Sequence, residues 1–106
     1  ESIGASDLFI GAHQTAAPYP DCRAQFFAAY QHAVDTGTRP QTQIRLRTPL
    51  IDLDKTAIVR RGLELDAPLH LTWSCYQNET TACGRCHSCV LRRQAFDLAG
   101  VADPVL

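Results

Sequence analysis

Nowhere in this chain does an apolar run approach the roughly 18 residues that a membrane helix needs, so no span across a bilayer is expected. No basic tract is long enough to follow a phosphate backbone; the densest positive groups are the pairs Arg60-Arg61 and Arg92-Arg93. Ten basic against eleven acidic side chains leave a formal charge of -1, which argues against a nucleic-acid partner. GxGxxG and Walker loops are absent, as is any serine–histidine–acid arrangement. Gly and Pro, six of each, are too few for a disordered or fibrous chain. No signal-peptide pattern opens the chain, which starts at Glu1 rather than Met and so leaves room for an upstream segment.

What is present amounts to one modest domain of ordinary soluble composition: 106 residues, 45% hydrophobic and 20% charged. A core of that size is thin, so a metal clip near one end would matter to it.

The cysteines supply such a clip. Five is an odd number, and three of them crowd together at Cys83, Cys86 and Cys89, spacing that suits a metal better than a disulfide framework. Reduced thiols point in turn to a reducing, cytoplasmic compartment. In Cys75-x7-Cys83-x2-Cys86-x2-Cys89, each two-residue gap lets neighbouring sulfurs turn onto one ion, and Gly84 can take the tight angles of a knuckle. Cys75 completes the set from across a hairpin-like excursion, and Cys89 at a helix start gains thiolate character from the dipole. Four sulfurs describe a closed, structural zinc site. The other readings are an iron–sulfur cluster, a thioredoxin-like pair, and a site in which His87 replaces one cysteine. Zinc on four thiolates would add -2 to the formal -1, for about -3 in the loaded protein.

Elsewhere the pattern alternates. Leu8-Phe9-Ile10 reads as a short, fully buried strand, followed by a loop from His13 to Asp21 with Pro18 and Pro20. A helix is predicted from Arg23 to Asp35, with Phe26, Phe27, Tyr30 and Val34 on one stripe and Gln25, Gln31 and Asp35 facing away. Asp21 is placed to cap it and Gly37 to stop it. Ile44 to Arg47 alternates like a half-buried strand. A second helix is predicted from Leu53 to Arg61, with Asp52 as cap and Gly62 beyond its end. A third runs from Cys89 to Ala99, with Leu91, Ala95 and Leu98 inward and Gly100 at its end. Strands and helices taking turns imply an α/β fold with a parallel sheet. Two strands are too few for a whole sheet, so another part of the protein or a partner is expected to complete it.

Three further positions attract attention. Arg23, and Lys55 as the only lysine, both sit near helix starts where an acidic side chain would be usual, so anion or phosphate binding competes with a solvated surface role. Cys22 reads more readily as a structural thiol than as a reactive one. Trp73 reads as a packing residue over the knuckle, and His13, His32 and His70 show no metal spacing.

Three stretches then act together: Tyr19-Pro20-Asp21-Cys22-Arg23 with Phe26; Pro49-Leu50 followed by Lys55, Ile58 and Val59; and Thr72-Trp73-Ser74-Cys75-Tyr76 leading to the cysteine cluster, Arg92, Phe96, Gly100 and Asp103-Pro104. Over essentially all of its length the chain resembles the C-terminal half of the 7-cyano-7-deazaguanine synthase family, nitrile-forming ligases of queuosine biosynthesis. The resemblance implies part of an adenine-nucleotide α-hydrolase-like parallel-sheet fold of the ATP pyrophosphatase type, with residues 1–72 in the α/β domain and 73–106 forming a zinc-binding segment and helix. It implies ATP, magnesium and structural zinc as cofactors, 7-carboxy-7-deazaguanine and ammonia as substrates, a homodimer as one assembly, and neither nucleic acid nor membrane as partner. The family's zinc ligands map onto Cys75, Cys83, Cys86 and Cys89, a phosphate-facing lysine onto Lys55, and a substrate loop onto Asp21 and Arg23. The ATP-binding loop would lie upstream, so the isolated chain is expected to be inactive. Thr15-Ala16-Ala17-Pro18 departs from the family's Asp-Tyr-Ser-Gly, and His87 stands where an acid is more usual. Two rivals stand beside this reading: a non-catalytic zinc-stabilised binding module, favoured if the ATP loop is missing from the native protein, and an ATP-dependent enzyme for another carboxylate, which the altered Thr15–Pro18 loop permits.

Overall fold

The computed structural model describes residues 1–13 and 19–106, so the Thr15-to-Pro18 departure lies outside the described residues. Two compact units are present, Glu1–Leu53 and Asp54–Leu106.

The first unit is a strand–helix–strand arrangement. Strands β1 (Asp7–Phe9) and β2 (Arg45–Arg47) pair in parallel with Leu8 opposite Leu46. Parallel strands require a crossover, here supplied by helix α1 (Ala24–Gly37), which packs on β2. The Ile10 amide extends the pairing with a 2.8 Å bond to the Arg47 carbonyl. The parallel sheet is as expected, whereas the burial of the first strand is not: Leu8 is 48% and Phe9 70% exposed. A lone pair of strands has too few neighbours to cover both of its faces.

Helix α1 departs from expectation at its start and on one face. Asp21 lies in a 3-10 turn over Pro20–Cys22 rather than capping the helix, and Arg23 occupies the cap position without a side-chain bond. Along the apolar stripe, Phe26 stacks on Tyr30 at 5.8 Å and meets Phe27 edge-on at 5.3 Å. Gln31, expected to face away, is half-buried. Its carboxamide donates to the Ile44 carbonyl and accepts from the Leu46 amide, both at 2.8 Å, and so imitates a neighbouring strand along β2. Those two backbone groups would otherwise be edge groups needing a partner.

In the second unit, helix α2 (Lys55–Glu64) begins later than predicted. Asp54, not Asp52, is its cap, accepting from the Ala57 amide at 2.7 Å. Gly62 lies inside the helix; a Cβ there would stand 3.1 Å from Leu69 Cδ2, so the glycine allows close packing. The left-handed residue that ends the helix is Asp66, at φ 53°, with Ala67 N–H bonded to Gly62 O and Asp66 N–H to Leu63 O. Leu69–Leu71 form a 3-10 turn. Helix α3 (His87–Ala99) ends on Gly100 at φ 80°, as expected. Its buried face carries Cys89, Arg92, Ala95 and Phe96, while Leu98, assigned inward, is 67% exposed. Val59 of α2 with Ala95 and Phe96 of α3 forms the core, flanked by Leu69, Ala99 and Val101. Arg60 spans the two helices, donating to the Leu98 carbonyl at 2.8 Å. Among the described residues, no helix is long and apolar enough to cross a membrane.

Candidate metal centre

Cys75 follows the 3-10 turn, Cys83 and Cys86 flank the bend at Gly84, and Cys89 sits in the first turn of α3. Gly84 takes a φ of 69°, the left-handed angle such a knuckle requires. The four sulfur atoms all lie within 4.8 Å of one another, so the cluster can hold a metal ion. Tetrahedral zinc–thiolate bonds of about 2.3 Å set sulfurs about 3.8 Å apart, a separation this cluster reaches with small adjustments.

The backbone around the sulfurs is arranged for negative charge. The amides of Gln77, Asn78 and Cys83 each donate to Cys75 Sγ at 3.4 Å. The Cys86 amide donates to Cys83 Sγ at 3.3 Å, and the Cys89 amide to Cys86 Sγ at 3.4 Å. Led by the Cys83 amide, these donors draw the Cys75 thiol down to about 6. The Tyr76 and Cys89 amides lower Cys86 in the same way. Cys89 goes the other way. Burial, reinforced by its sulfur neighbours, pushes its thiol up to about 12. The expected lowering by the helix dipole is therefore outweighed, and Cys89 becomes a thiolate only when a cation replaces its proton. His87, exposed at the first residue of α3, is outside the set of four.

Trp73 stays exposed rather than covering the knuckle, and its indole N–H donates to the Cys75 carbonyl at 3.0 Å. Behind the cluster is a group whose role was not read from the sequence. Arg92 is 5% exposed, and its guanidinium grips Asp103 with two bonds, at 2.7 and 2.9 Å. The same side chain donates to Thr72 O and Oγ1 and to Leu69 O, and lies 5.1 Å from the Phe96 ring centre. One signal was available: an arginine on the apolar stripe of α3, three residues after Cys89, must find a buried partner.

The remaining candidates are placed separately. Asp21 and Arg23 are exposed in the first unit, with Cys22 half-buried between them. Lys55 is the half-buried first residue of α2, its pKa lowered by burial and then by the charge of Arg92.

Comparison with known proteins covers the whole chain. A family model described as "Queuosine biosynthesis protein QueC" matches residues 1–100. The chain is 52% identical over 106 residues to the 7-cyano-7-deazaguanine synthase of Chlorobaculum parvum, covering 99% of this chain and 47% of that protein. The protein of the same name from Acidobacterium capsulatum is 54% identical over 106 residues, covering 99% of this chain and 46% of the relative. The chain thus spans just under half the length of the curated relatives it matches.

Proposed function

Because the chain belongs to the QueC family of queuosine biosynthesis proteins, we propose that it is the C-terminal part of an ATP-dependent ligase. That enzyme converts 7-carboxy-7-deazaguanine and ammonia to 7-cyano-7-deazaguanine. The observation that carries this reading is the likeness to named synthases along the full chain, together with the four sulfurs converging on one point. Adenylation of the carboxylate provides a leaving group that ammonia displaces to give the amide; adenylation of the amide oxygen then permits elimination to the nitrile. Magnesium, when bound, would supply positive charge against the phosphates in both activations.

In this reading Cys75, Cys83, Cys86 and Cys89 hold a structural zinc ion with no open coordination position, so the metal supplies fold and not chemistry. Asp21 and Arg23, both exposed, meet the substrate. Lys55 faces phosphate. A lysine whose charge is opposed by burial and by Arg92 gains from an anion beside it. The ATP-binding loop is supplied from outside these residues, and the isolated chain is inactive.

The test joins this chain to the upstream half of the Chlorobaculum parvum synthase and follows nitrile formation by mass spectrometry. The expected outcome is nitrile from the fusion and none from the chain alone. Turnover by the 106 residues alone would sink the two-part reading. A folded fusion that consumes ATP without making nitrile would sink the substrate assignment.

A further inference from the structure

We propose that Arg92 is a positioning residue for the first metal ligand: with Asp103 it fixes the Cys75 limb against α3 before any ion arrives. The inference rests on the zinc reading above. Three of the four cysteines lie on or just before α3, and two-residue gaps bring them together locally. Cys75 comes from a separate segment, and something must hold that segment in register with the helix.

Arg92 stands one helical turn after Cys89 and does this with all five of its N–H donors. Nε and one Nη2 hydrogen go to the two Asp103 oxygens. The other Nη2 hydrogen goes to the Leu69 carbonyl at 3.3 Å, and both on Nη1 go to Thr72, at 2.8 and 3.2 Å. Thr72 Oγ1 itself donates to the Leu69 carbonyl at 2.6 Å, which locks the turn the limb leaves from. Only Trp73 and Ser74 separate Thr72 from Cys75, and the indole bond to the Cys75 carbonyl stiffens that span. At the other end, Asp103 also accepts from the Val105 amide at 2.9 Å, so the carboxylate is itself held. The ion pair is buried on both sides. A planar five-donor fork fits this task; lysine, with three donors on a flexible stem, would not. Groups that orient ligands in this way change metal affinity by about 10–100-fold when removed.

The test measures zinc affinity of the full chain by chelator competition, with circular dichroism at saturating zinc confirming the fold. Asp103→Asn is expected to bind zinc about 10–100-fold more weakly than the wild type. Thr72→Val, a milder change that keeps the ion pair, is expected to weaken binding by a smaller factor. Cys75→Ala separates positioning from general support: in that background Asp103→Asn should cost nothing further, since the ligand it positions is gone. Wild-type affinity in Asp103→Asn and Thr72→Val, or an undiminished Asp103→Asn effect in the Cys75→Ala background, would overturn the proposal. A wild-type chain that takes up no zinc would overturn the metal reading itself, a result distinct from either.

Discussion

The two units of this chain are held together by different means. Among its described residues, Glu1–Leu53 buries one hydrophobic side chain, Ala12, and leaves Leu8, Phe9, Phe26 and Tyr30 exposed. Asp54–Leu106 buries Val59, Ala95 and Phe96 around a saturated Arg92–Asp103 pair, and adds a four-sulfur cluster. The first unit thus leaves apolar side chains of both its first strand and its helix exposed. The second closes on itself through the buried ion pair, beside a sulfur cluster that can hold a metal ion, where apolar area is short.

The comparison can be broken most severely at the metal. Cys86→Ser is expected to weaken zinc binding severely and open residues 73–90 to amide hydrogen exchange, because structural zinc contributes on the order of 10 kcal/mol of apparent folding energy. Next in size, Phe96→Ala should destabilise the second unit by about 3–5 kcal/mol in denaturant melts, as truncation of a buried aromatic does. Phe9→Ser at an exposed site is the control, expected within about 0.5 kcal/mol.

Titration sharpens the picture of the second unit. With its pKa drawn from an ordinary 9.0 to about 6, Cys75 favours the folded metal-free knuckle fully above pH 9 and loses that contribution as pH falls through 6. Cys89, raised to about 12, contributes below pH 9 and loses it as pH rises through 12. At pH 7.5 Cys75 is already a thiolate, so zinc uptake should release fewer than four protons. Calorimetry in buffers of different ionisation heat counts them, and a value of four would mean that the amide–sulfur bonds form only with the metal. A more modest effect than that of Phe96→Ala belongs to the first unit. Gln31→Leu should cost about 1–3 kcal/mol by stripping two buried bonds from β2, read as faster exchange at Leu46.

How much could be read in advance follows from the range of each interaction. The cysteine cluster and the Gly100 stop were legible because their spacing is local. Arg92 was visible as half of a basic pair and as one residue of the family stretch, but not as a buried anchor, since its partners Thr72 and Asp103 lie twenty and eleven residues away. Gln31 looked like a solvated face because its value depends on which strand edge lies opposite. The apolar run at Leu8 stated a preference for burial, but three residues cannot report how many strands surround them. At α2, Asp52 was expected to cap the helix, and only the bond from the Ala57 amide places the cap at Asp54.

X-ray absorption at the zinc edge, combined with metal analysis of the purified chain, identifies the ion and the atoms that bind it. One zinc per chain with four sulfur neighbours at about 2.3 Å is expected. A nitrogen or oxygen atom bound to the metal, or iron in place of zinc, would contradict it.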